Sequence, residues 1–177
     1  MITNILIALL SLAALQPGEG AKPIDNDNLG QKVAQIQGDK IIFVADTTML
    51  KDHFESVIEM PEVELKKIEI LKRHTFGDKK EDYHMLIAYD QNLKLKVAHW
   101  LVENEGGLYF FENKTDAEIP NEYFFGTYFV CYASDESCFP LVKYYDDTYS
   151  WGTIEEQVCP VDSKCKGRKV YVLPDEY

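Results

Sequence analysis

Tyr128-Phe-Val-Cys-Tyr-Ala-Ser-Asp-Glu-Ser-Cys-Phe-Pro-Leu-Val142 reads as two apolar strands joined by a polar turn, with Cys131 in the first strand and Cys138 opening the second. Cys159 and Cys165 follow downstream, and no cysteine precedes Cys131. All cross-linking chemistry therefore lies in the last third of the chain. With no C-x-x-C pair, these cysteines point to disulfides rather than zinc, and hence to an oxidising compartment.

The opposite end of the chain agrees. The run Ile5-Leu-Ile-Ala-Leu-Leu-Ser-Leu-Ala-Ala-Leu15 is too short to span a bilayer and has the length of a signal-peptide core. Gly18 and Gly20 place small residues at −3 and −1 of a cut before Ala21. The expected organisation is a signal peptide over 1–20 and a single secreted, extracellular domain over 21–177. The formal net charge is −12. That disfavours nucleic acid and anionic membrane as partners, and is compatible with cationic ligands. Asn113-Lys-Thr115 is a glycosylation sequon.

Between the ends, strand signals dominate. Asp27 or Asn28 is placed to cap a short helix over about 29–37, with Val33 and Ile36 on one face and Gly38 ending it. Lys40-Ile-Ile-Phe-Val-Ala45 reads as a first strand, and Thr47 to Met60 as a loop with some helix. From Glu62 the apolar parity shifts between Val63/Leu65 and Ile68/Ile70, which predicts a bulge near Lys66-Lys67. Tyr83–Tyr89 and Leu93–Val102 form a hairpin about Asp90-Gln-Asn92, with Leu95, Val97, His99 and Leu101 on one face. Strands over Leu108–Glu112, Tyr123–Ala133, Phe139–Tyr145 and Lys169–Leu173 complete an antiparallel set of about eight, a sandwich or barrel. Adjacent aromatics between Tyr109 and Trp151 must point to opposite faces, which suits either a barrel with a cavity or a plain sandwich core.

Motifs for catalysis are missing. No G-x-S-x-G, phosphate loop or dinucleotide fingerprint occurs, so the expectation is not an enzyme and no cofactor. Asp25-Asn-Asp-Asn-Leu-Gly30 opens like a calcium loop but has Leu29 at a ligand position and Ile36 at the closing one. His53, His74, His84 and His99 show no metal spacing, so no metal is expected. The cysteines allow three pairings. Cys131 with Cys138 would be local; a bridge from Cys138 to the tail would hold more of the chain together.

Tyr132-Ala-Ser-Asp-Glu-Ser-Cys138, then Trp151, then Cys159 or Cys165, resembles the late region of tick salivary lipocalins, the group that includes histamine-binding proteins. Gln31–Ile36 followed by Ile41–Thr47 is similar to that family's N-terminal helix and first strand. Ser56 stands where the family often has a Cys that pairs with one at the extreme C-terminus, and this chain lacks both. The resemblance implies an antiparallel lipocalin-like (calycin) β-barrel and bridges Cys138–Cys165 and Cys131–Cys159. It also implies sequestration of a small host mediator, a biogenic amine or a lipid such as a leukotriene, by a monomer. The family's helix Trp is replaced by Val33 or Ala34, and the Glu that helps hold an amine is replaced by Tyr149.

A cationic amine in a barrel needs a cavity-facing carboxylate and aromatic walls for cation–π contact. Asp46, Tyr89, Trp100, Tyr149 and Trp151 are the candidates; an apolar mediator needs only the cavity and a polar mouth, for which His99 or lysines would serve. The rival expectation is a secreted acidic structural or interaction protein, a matrix component or protein-binding inhibitor, without a cavity.

Overall fold

The computed structural model describes residues 29–60, 62–111, 124–132, 138–153 and 165–171. In chain order the elements are β1 (Leu29–Gln37), β2 (Lys40–Phe43), α1 (Thr47–Ile58), β3 (Leu65–His74), β4 (Phe76–Gly77), β5 (Asp82–Asp90), β6 (Leu95–Asn104), β7 (Gly107–Phe111), β8 (Thr127–Tyr132), β9 (Pro140–Tyr145), β10 (Thr148–Thr153) and β11 (Lys166–Tyr171).

The central strand is β6. One of its edges pairs β5 from Lys96 to Leu101. The other pairs β8 from Leu95 to His99, then β7 from Val102 to Asn104. The main sheet therefore forks: one arm continues to β11, the other through β1 to β2, and β3 lies beyond β5. The result is an antiparallel curled sheet, a half-barrel. The bulge expected near Lys66-Lys67 appears as a register shift between Leu65 and Lys67.

Two expectations need correction. Residues 29–37 form strand β1, not a helix; β1 pairs β2 on one side and β7 on the other. Register shifts between Leu29, Lys32 and Ala34 bury the neighbours Val33 and Ala34 together. That breaks the two-residue period which would have identified a strand. Among the described residues the long helix lies instead in Thr47–Ile58. Asp46 caps it, its Oδ1 accepting from the Thr48 N–H at 2.7 Å and the Met49 N–H at 3.3 Å. Leu50, Phe54, Val57 and Ile58 recur at helical spacing and are buried.

The helix lies in the hollow of the curled sheet and touches strands from both of its ends. Glu55 accepts from the Leu65 N–H of β3 at 2.6 Å, and the Arg168 guanidinium of β11 donates to the Ile58 carbonyl. Between them, Phe54 meets Tyr128 of β8 edge-on at 5.4 Å and Phe110 of β7 at 6.5 Å. Leu86, Ala88, Val97, Leu101, Leu108 and Val130 complete this core.

A second core covers the convex side. There Met85, Ile87, Ala98, Trp100, Phe129 and Cys131 pack under a small sheet of β10, β9 and β4. The β9–β10 turn uses Asp146 and Asp147, both at positive φ, the backbone of a tight hairpin. β4 runs parallel to β9, with Gly77 at φ 124° against the Tyr144 carbonyl, where a side chain would collide. Strands β5 and β6 are consequently buried on both faces along most of their length.

Candidate functional site

The densest aromatic chemistry lies between β5, β6 and β8 and the small sheet. Trp100 stacks on Tyr83 at 4.7 Å, and Trp151 stacks on Phe129 at 5.6 Å. Phe124 joins the two, 5.6 Å from Trp100, 5.7 Å from Tyr149 and 5.4 Å from Trp151. Offset and edge contacts at these separations are each worth about 0.5–1.5 kcal/mol beyond the area they bury.

Trp100, Tyr149 and Trp151 are thus brought together, and Tyr89 belongs to the same core. All four are at least nine-tenths buried. Their polar groups are mostly engaged within the chain. Tyr89 donates to Glu69 at 2.7 Å while the Lys67 ammonium sits 5.0 Å above its ring. Tyr149 donates to Glu81. Burial pulls the Glu69 and Glu81 carboxyls upward. Hydrogen bonds from Lys67 and Tyr89, and from Lys79 and Tyr149, outweigh it and hold both below the usual range. Burial pushes the Tyr83 phenol up to about 12. The exception is Trp151, whose buried Nε1–H has no hydrogen-bond partner among the described residues.

Asp46 does not join this group. It is exposed at the start of α1, on the other side of the main sheet, and its carboxylate holds a helix N-terminus. His99 forms no polar mouth: it is 1% exposed, its ring 4.4 Å from Tyr128 and 5.0 Å from Phe110. Its Nδ1 donates to the Trp100 carbonyl. Burial drives its imidazole down to about 3, that carbonyl opposing. His53 on α1 reaches the Tyr128 hydroxyl at 2.7 Å and is likewise lowered by burial. No spacing rule joins His53 to Tyr128 and His99, because the helix brings it to the sheet from 75 residues away.

Cys138 and Cys165 form a disulfide, Cα–Cα 5.1 Å, which fixes the start of β9 to the start of β11. Among the described residues Cys131 is a buried free thiol, and burial raises it to about 12; the partner expected for it, Cys159, is not among them. Cys159 and Asn113 lie outside the described residues.

Among the described residues, no group of three or more His, Cys, Asp or Glu is placed to hold a metal ion. None of their helices is long and apolar enough to cross a membrane. A surface depression of about 420 Å³ opens beside the end of α1, lined by Glu55, Ser56, Glu59, Met60 and Val63. No family model, curated protein or solved structure matches this chain.

Proposed function

We propose that this chain is an extracellular acidic interaction domain that engages other proteins at its surface and carries no small mediator inside its barrel. The observation behind this reading is the position of α1. Phe54, buried to 0% exposure, and its neighbours Leu50, Val57 and Ile58 occupy the hollow where a carrier would keep its ligand. The Cys138–Cys165 bridge supports an oxidising compartment. The charge of −12 favours basic partners and a salt-sensitive association.

One observation favours the second reading, a lipocalin-like carrier of an amine or lipid mediator. The unpartnered Trp151 Nε1–H sits within an aromatic layer of the kind that holds such ligands, and a ligand oxygen would satisfy it. Isothermal titration of the oxidised protein with histamine, serotonin and a leukotriene separates the two. The interaction-domain reading expects no saturable heat with any of them. Saturable one-to-one binding that is lost in Trp151→Phe would establish the carrier and overturn it.

A further inference from the structure

We infer that β2 is the docking strand for a second copy of this chain, which adds antiparallel to it about a two-fold axis and joins two main sheets into one. Three strands end the main sheet among the described residues, namely β2, β3 and β11. Two of them carry the charges that keep sheet edges from pairing. β3 exposes Lys66, Lys67, Lys72 and Arg73; β11 exposes Lys166, Arg168 and Lys169. β2 does not. Its run Lys40-Ile-Ile-Phe-Val-Ala45 has one lysine, at its start, and high strand propensity throughout.

Exposure marks the same place. Of the seven large hydrophobic side chains exposed among the described residues, Ile42 at 43%, Val44 at 54% and Met49 at 69% fall within eight residues of one another. From Lys40 to Asp46 the even-numbered positions are exposed and the odd ones half-buried, so the segment presents a regular strand face.

The free hydrogen-bonding groups fix the register. The Val44 N–H donates to the Val33 carbonyl at 2.9 Å. By the alternation of an antiparallel ladder, Ile42 and Lys40 also turn their backbone groups toward β1. Ile41 and Phe43 therefore point theirs outward. The Ala45 N–H is held by the same Val33 carbonyl at 3.1 Å, so the outward row stops at Phe43. One antiparallel register uses all of it. Ile41 of each chain exchanges both backbone hydrogen bonds with Phe43 of the other, and Ile42 faces its own copy across the axis.

The same register explains why the occupant is a second copy. Ile42 meets an identical side chain, the exposed Val44 lies opposite the stem of Lys40, and the Lys40 ammonium is one diagonal step from Asp46 of the second chain. The docking run thus balances its own charges in a molecule whose net charge otherwise opposes self-association. The dimer does not depend on the function proposed above, and its failure would leave that reading standing.

Sedimentation velocity on the oxidised full chain over a wide concentration range tests the association. The dimer fraction is expected to rise with concentration, and Ile42→Lys, which sets two ammonium groups face to face, is expected to weaken it at least about tenfold. The register is tested by cysteine cross-linking read as peptides. Ile42→Cys is expected to link to its own copy on mild oxidation, and Val44→Cys, which faces Lys40, is not. A monomer at all concentrations, a dimer indifferent to Ile42→Lys, or faster self-linking at position 44 than at 42 would each overturn the proposal.

Discussion

His99 is the residue whose burial has the plainest consequence in solution. It lies between α1 and the sheet with its charged form disfavoured, and His53 and His84 are shifted the same way, each chiefly by burial. Because the folded state lowers the pKa of these bases, the stability they contribute is complete above the unfolded value of about 6.5. It is lost as pH falls from there toward the folded value, about 3 for His99. The paired carboxylates Glu69 and Glu81 have the same sign, but their loss begins only near pH 4.5. Urea unfolding at pH 6.5 and pH 5 is therefore expected to show a drop of about 2 kcal/mol from His99 alone. His99→Phe should flatten that slope. A second expectation concerns Tyr83, whose hydroxyl accepts from the buried Val142 N–H at 3.2 Å. Tyr83→Phe leaves that donor unpaired, and should cost about 1–3 kcal/mol in the same assay.

At the level of elements, legibility followed periodicity. The hairpin about Asp90-Gln-Asn92 and the shared face of Leu95, Val97 and Leu101 were readable because β5 and β6 keep a strict two-residue alternation. β1 was not, since its bulges pair Val33 with Ala34 on the buried side and imitate helical spacing. α1 was obscured differently: it follows directly on the apolar run Lys40–Ala45, where its cap, Asp46, reads as a carboxylate facing a cavity and not as the start of a helix. The cap gives a direct check. Asp46→Ala is expected to lower stability by about 1 kcal/mol, with Asp46→Asn restoring most of it in chemical denaturation. The β4 crossing is less forgiving. Gly77→Ala asks for a positive φ and a collision with the Tyr144 carbonyl, and should cost about 1–3 kcal/mol.

For the whole molecule, the opening segment Tyr128–Val142 correctly marked both strands and the half-cystine at Cys138. The aromatic density was visible as well. Its placement was not, because adjacent aromatics divide between two cores and composition does not say which core is roofed by β9–β10 and which by α1. The Cys138–Cys165 bridge closes a separation of 27 residues, so paired replacement by Ala should lower stability by about 3–4 kcal/mol.

The claim on which the functional reading rests is that α1 is a permanent part of the core and not a lid over a ligand chamber. Native-state hydrogen exchange of the oxidised protein measures this directly. The amides of Phe54, Val57 and Ile58 should open only with global unfolding, at the same free energy and denaturant dependence as those of β5 and β6. Exchange of α1 through a low-energy local opening, while β5 and β6 stay protected, would contradict it and return the hollow to a ligand.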